Sequence, residues 1–172
     1  PKTTSDDRKA TRPGEVLHLD TSGPYKRTRG KNRYHVCIKD AYTSRVWSEF
    51  GEAKDSFTDK IDLILTTNKA KGFPAKFLRL DNAGEWVWLK PVCAKHGVTM
   101  QFTSPHTPQH NAIVEREFPT IRNMAYACLQ ASGMNDAEQM LHWAHAIDDC
   151  TIVRNLQPRK DWKNAYEPFE EE

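Results

Sequence analysis

Apolar residues come in short runs over the first third of the chain and at helical spacing after it. Val16 to Asp20 reads as a strand, and Tyr34 to Lys39 and Arg45 to Phe50 are two further runs rich in aromatic and β-branched residues. Asp40-Ala41-Tyr42-Thr43-Ser44 between them suits a tight hairpin, so the second and third strands are expected to be antiparallel. From Asp55 to Lys71 the apolar residues Phe57, Ile61, Ile64 and Leu65 recur at helical spacing, and Gly72 and Pro74 stop the pattern. Ala75 to Leu80 is a fourth strand, Glu85 to His96 a helix ended by Gly97, and Val98 to Thr103 a fifth strand. Pro105 and Pro108 mark a loop, followed by helices over about Asn111 to Ser132 and Asn135 to Asn155. A strand meander followed by strands alternating with helices predicts an α/β fold, a five-stranded mixed sheet flanked by helices on both sides.

At 172 residues the chain accommodates one domain with a sizeable core. Residues 1–14 are polar and read as an extended lead-in or linker, residues 15–168 as the core, and residues 169–172 as an acidic tail. The chain opens on Pro1, which suggests a part of a longer polypeptide. No apolar run approaches a membrane span, and no signal-peptide pattern is present. Cys37, Cys93, Cys128 and Cys150 are widely spaced without a C-x-x-C pair, which predicts buried free thiols of a reducing compartment rather than a zinc knuckle or disulfide framework.

The candidate chemistry lies in three acidic residues. Asp20 ends Val16-Leu17-His18-Leu19, Asp81 ends Phe77-Leu78-Arg79-Leu80, and Glu115 sits in Asn111-Ala112-Ile113-Val114-Glu115-Arg116. Acidic residues at strand ends and helix starts commonly do no more than satisfy backbone donors. Three that converge can instead hold two divalent cations, which clamp the attacking and leaving oxygens of a phosphodiester.

The segments carrying these acids are Leu17-His18-Leu19-Asp20-Thr21-Ser22-Gly23-Pro24, Arg79-Leu80-Asp81-Asn82-Ala83-Gly84-Glu85-Trp86 and Ser104 to Arg116. In this order they resemble the catalytic core of retroviral and retrotransposon integrases, and its copia-type branch in particular. The distal stretch from Leu141-His142-Trp143-Ala144-His145-Ala146 to Val153-Arg154-Asn155-Leu156-Gln157-Pro158 is similar to that branch as well. The resemblance covers roughly residues 12–168. It implies a ribonuclease H-like fold in which Asp20, Asp81 and Glu115 are the catalytic and metal-binding residues, holding two Mg²⁺ or Mn²⁺ ions. The activity implied is that of a polynucleotidyl transferase that processes the 3′ ends of retroelement DNA and transfers them into target DNA. The partners implied are double-stranded DNA, further copies of the chain and the other domains of a polyprotein made in the cytoplasm, with the reaction itself in the nucleus.

This chain departs from the family pattern at Ala112, where the family usually carries Gly, and at Pro119, which removes a backbone donor and crowds the carbonyl of Glu115. A kink or late helix start is expected there. Glu117 rivals Glu115 as third ligand, because 35 residues separate it from Asp81, against 33 for Glu115. On an unbroken helix Glu117 joins the stripe of Ile121, Met124 and Cys128, and Glu115 points nearly the opposite way. The Val-Glu-Arg match favours Glu115, while Pro119 weakens any helical-wheel argument.

Net charge is only +2 with a pI near 8.5, too mild to define a nucleic-acid partner. Lys26, Arg27, Arg29, Lys31 and Arg33, however, crowd into one segment, either a solvated hairpin loop or a DNA-facing one. By resemblance Gln109, His110 and Asn111 lie against the element's DNA end, and Asn111 also suits a helix cap. His18 shares a strand face with Asp20, either as a packed core residue or as support for the site. His142 and His145 stand one turn apart with no matching third zinc ligand, and Trp86, Trp88 and Trp143 read as core or interface residues. Two alternatives stand beside the integrase: another ribonuclease H-like DDE transposase or nuclease, and a domesticated DNA-binding or assembly module without chemistry.

Overall fold

Alternation of apolar side chains builds five strands: Val16–Ser22 (β1), Tyr34–Asp40 (β2), Val46–Gly51 (β3), Phe77–Leu80 (β4) and Thr99–Phe102 (β5). The computed structural model describes residues 10–81, 83–102, 112–159 and 164–169. The sheet order is β3-β2-β1-β4-β5. The β1–β2 and β2–β3 pairs are antiparallel, and the β1–β4 and β4–β5 pairs are parallel. Asp40 closes the predicted hairpin, where one carboxylate oxygen accepts the Thr43 N–H at 2.8 Å and its hydroxyl at 2.7 Å, and the other accepts the Gly14 N–H at 3.1 Å.

The two-residue period sorts the strands into two faces. Leu17 and Leu19, Val36 and Ile38, and Leu78 and Leu80 face one core, filled from above by Phe57, Ile61, Leu65, Trp86, Leu89 and Val92. Most of these come from helix Thr58–Ala70 (α1), helix Lys90–His96 (α2) and the 3₁₀ segment Ala83–Leu89. The opposite face carries Cys37 and Val46, which pack with Val114, Ile121, Ala125, Ile147 and Cys150. Those residues belong to helices Ala112–Glu115 (α3), Glu117–Ala131 (α4) and Asp136–Leu156 (α5). Helices therefore cover both faces of a mixed sheet, as the hydrophobic pattern predicts.

Three helices differ from their predicted extents. The helix expected from Asp55 begins as a 3₁₀ turn, Lys54–Phe57, before α1. The helix expected over Glu85 to His96 is 3₁₀ as far as Leu89 with a kink at Trp86, and α-helix begins only at Lys90. Pro91 accounts for this, since a residue without an N–H belongs in the first turn. The helix expected from Asn111 is broken at Arg116 into α3 and α4. Pro119 cannot donate to the Glu115 carbonyl and is tolerated only in the first turn of a new helix.

α5 starts at a capping box in which Asn135 accepts the Glu138 N–H and Glu138 accepts the Asn135 N–H, both at 3.0 Å. Its far end is pinned to edge strand β3 by the buried Asn155 side chain. The amide oxygen of Asn155 accepts the Val46 N–H at 2.8 Å, and its nitrogen donates to the Val46 carbonyl at 2.7 Å. One thiol expectation fails. Cys37, Cys93 and Cys150 are buried, but Cys128 is exposed at the rim of the α4–α5 contact, its Sγ 3.9 Å from that of Cys150.

Candidate active site

β1 and β4 run parallel with His18 opposite Arg79, and continuing that register by two residues brings Asp20 opposite Asp81. Leu19 and Leu80 point into the α1–α2 core, so alternation turns Asp20 and Asp81 to the other face together. That face carries α3, which packs on β1 and β2 and ends at Glu115. Asp20 and Asp81 are half-buried, and Glu115 is exposed.

The electrostatics of Asp20 tie these elements together. Burial pushes its carboxyl up to about 7, the negative charges of Asp81, Glu115 and Glu85 push the same way, and the Thr21 N–H, donating at 2.7 Å, opposes them. Asp20 thus feels acidic charge from the residue that follows β4, from α3 and from the segment after Asp81. Such repulsion fits a hard divalent cation bound by carboxylate oxygens. Among the described residues, no three acidic, imidazole or thiol side chains are already close enough to ligate a single ion.

The rival glutamate is engaged elsewhere. Glu117 is buried, with one carboxylate oxygen ion-paired to Lys39 of β2 and the other accepting from Arg154 Nε of α5 at 2.7 Å. Burial would raise its carboxyl, but these two cations outweigh it and hold Glu117 below its ordinary value. Glu117 does occupy the inward stripe with Ile121, as its helical position predicts, and Glu115, two residues earlier and exposed, lies off that stripe.

The roles of three side chains near the site escape a reading of the sequence alone. Glu85 lies four residues after Asp81 and pairs with Lys54 from the turn before α1, so it reads locally as an ordinary acid near a helix start. Lys39 and Arg154 are remote from the acidic motifs in sequence; Arg154 lies in the distal stretch already singled out, but nothing there ties it to Glu117.

The basic segment is an irregular loop that leaves β1 two residues after Asp20. Lys26, Arg27, Arg29 and Lys31 are exposed, Arg33 is half-buried, and Arg27 pairs with Glu52 at 2.7 Å. The loop is fastened at both ends. Gly23 enters it with φ +127°, where a Cβ would sit 2.6 Å from the Arg33 carbonyl that accepts the Tyr25 N–H. The Trp143 Nε1–H of α5 donates to the Lys26 carbonyl at 2.8 Å, and the Trp143 ring rests 5.0 Å from that of Tyr25. Trp143 is thus an interface residue, as expected, and Trp86 a core one. His18 is fully buried, whereas the rings of half-buried His142 and exposed His145 lie 6.0 Å apart. Gln109, His110 and Asn111 lie outside the described residues.

No protein-family model matches the chain. It is 26% identical over 148 residues to the retrovirus-related Pol polyprotein from transposon TNT 1-94 of Nicotiana tabacum, an alignment covering 84% of this chain and 11% of that protein. With the Pol polyprotein from transposon RE1 of Arabidopsis thaliana the identity is 29% over 153 residues, 87% of this chain and 10% of the relative. The relatives it matches are retrovirus-related Pol polyproteins of plant transposons. The chain spans about a tenth of their length.

Solved structures identify the fold as that of the integrase catalytic core, which is ribonuclease H-like. The magnesium-bound, dimeric form of the HTLV-2 integrase catalytic core matches with a TM-score of 0.64 at 15% identity, over 95% of this chain and all of that one. A chain of the simian T-cell lymphotropic virus intasome, in complex with PP2A regulatory subunit B56 gamma, matches with a TM-score of 0.70 at 14% identity, over 96% of this chain and 57% of that one.

Proposed function

We propose that this chain is the catalytic core of a retroelement integrase, a metal-dependent polynucleotidyl transferase that trims the 3′ ends of the element's double-stranded DNA and joins them to target DNA. The observation that carries this reading is the parallel β1–β4 register, which continued by two residues brings Asp20 opposite Asp81 on the face where α3 ends at Glu115, and the raised Asp20 carboxyl supports it. Asp20, Asp81 and Glu115 would hold Mg²⁺ or Mn²⁺, and a pair of such ions supplies an activated water or 3′ hydroxyl and a stabilised leaving oxygen at the phosphodiester. The Thr21 N–H orients the Asp20 carboxylate. Glu85, held by Lys54, adds negative charge beside Asp20 without belonging to the three.

In this reading Lys26, Arg27, Arg29, Lys31 and Arg33 bind the DNA backbone, on a loop that follows Asp20 directly, so phosphates gathered there lie near the carboxylates. Gln109, His110 and Asn111 complete the DNA contacts. The chain works as an oligomer within a longer polyprotein product and acts in the nucleus. Support for assembly comes from the HTLV-2 core, which exists in dimeric and trimeric forms. No helix among the described residues is long and apolar enough to cross a membrane.

A 3′-processing and strand-transfer assay on a short duplex tests the assignment. Asp81→Asn and Glu115→Gln each remove one charged ligand with little change in volume and should abolish both reactions while the protein stays folded. Glu117→Gln should keep most activity at saturating Mg²⁺. Full activity of Asp81→Asn under that condition would sink the metal-site reading. Loss in Glu117→Gln with survival in Glu115→Gln would transfer the ligand role to Glu117.

A further inference from the structure

We infer that the buried triad Lys39–Glu117–Arg154 is a positioning device that sets where Glu115 stands relative to Asp20. The inference rests on the reading of Glu115 as a metal ligand. In an ordinary helix, the hydrogen-bond ladder through the following turn would hold Glu115 in place. Here that ladder is interrupted: Arg116 keeps helical angles, φ −70° and ψ −20°, but Pro119 has no N–H to offer the Glu115 carbonyl. α3 is four residues long, too short to be stable through its own bonds. The turn carrying Glu115 therefore relies on contacts outside the helix: Val114 is fully buried with Cys37 and Val46 of the sheet, and an electrostatic anchor follows it.

Glu117 supplies one, two residues along. One oxygen pairs with Lys39, whose register partner on β1 is His18, two residues from Asp20. The other oxygen accepts from Arg154, whose Nη1 also donates to Gln157 Oε1 at 2.9 Å, so the guanidinium is itself oriented. Glu117, two residues from Glu115, is thus tied through Lys39 to the β1–β2 strand pair that carries Asp20, and through Arg154 to α5. A buried ion pair is an expensive way to gain stability, because desolvation offsets most of the attraction, and geometric specificity is its better-attested use. Partners that orient ligands from behind typically govern metal affinity by about 10- to 100-fold.

The test is a calorimetric Mn²⁺ titration of the whole chain well below its melting temperature, with strand transfer followed against Mg²⁺ concentration. Glu117→Gln should weaken Mn²⁺ binding about tenfold and raise the Mg²⁺ half-saturation similarly, while the maximal rate stays near wild type. Arg154→Met should do the same, and Arg154→Lys, which keeps the cation, should restore much of the loss. If Glu117→Gln does not fold, the two Arg154 variants decide the matter. Unchanged metal midpoints in folded Glu117→Gln and Arg154→Met, beside a Glu115→Gln control that has lost Mn²⁺ binding, would overturn the positioning role and leave the site assignment standing. A Glu115→Gln control that binds Mn²⁺ as wild type does would instead overturn the site assignment.

Discussion

Replacing Asp20 with Asn should stabilise the metal-free protein while removing its activity. Asn keeps the oxygen that accepts the Thr21 N–H and removes a charge that burial, Asp81, Glu115 and Glu85 all penalise. The Asp20 carboxyl rises from 3.8 to about 7 in the folded chain. Because the folded value is raised, folding favours the protonated acid. The penalty is absent below the unfolded value of 3.8, grows as pH climbs from there to 7, and is complete above 7. Three pH units correspond to roughly 4 kcal/mol, and solvent screening of a half-exposed carboxylate reduces this to about 1–2 kcal/mol. In a domain of this size that is a melting-temperature gain of roughly 2–8 °C at pH 8 in EDTA. The difference should vanish near pH 4. Saturating Mg²⁺ should close it from the other side, since an ion bound only by the folded wild type stabilises it by mass action and has lost a ligand in the variant. Scanning calorimetry at both pH values, with EDTA and with Mg²⁺, measures all three effects. A variant that melts no higher than wild type at pH 8 in EDTA, or whose advantage persists unchanged at pH 4, would refute the claim that acidic repulsion is stored at this strand end.

Neutralising Lys26, Arg29 and Lys31 to Gln should weaken duplex binding without sequence preference and flatten its log–log salt dependence by about 0.9 per lost phosphate contact. An unchanged slope would make the loop merely solvated. Asn155→Ala leaves the buried Val46 N–H and carbonyl without their partner and should cost about 2–4 kcal/mol in a urea melt, and a loss below about 0.5 kcal/mol would mean the edge of β3 finds replacement partners.

How much of this was legible in the sequence depends on the range of the interaction concerned. The strands announce themselves through runs such as Val16 to Leu19 and Phe77 to Leu80, because a half-buried pleated surface selects apolar and β-branched residues locally. Asn135 and Glu138 mark the start of α5 through a reciprocal cap only three residues wide. Pro119 gives notice of the break beside Glu115, yet its outcome depended on which side chains the second helix turned inward. The kink at Trp86 was less visible, since its helical pattern continues through Pro91 and conceals the point where α-geometry begins. Register lies further from view. That Asp20 stands opposite Asp81 follows from β1 and β4 pairing in parallel across more than fifty intervening residues, a choice no local pattern records.

The same distinction explains why two glutamates so close in sequence have such different surroundings. Spacing from Asp81 admits both, and a helical wheel drawn through Pro119 would have preferred Glu117. What separates them is the source of compensating charge. Glu117 points inward, where a carboxylate is tolerable only with cations at hand, and Lys39 and Arg154 supply them from β2 and α5. Glu115, on the other side of the break, is exposed, and its charge bears on Asp20. A buried acid neutralised by protein cations has little attraction left for a metal ion, whereas acids that repel one another across a strand end gain most from one. Charge balance on each side of Arg116, rather than distance along the chain, is what favours Glu115 over Glu117 as a ligand in the proposed metal site.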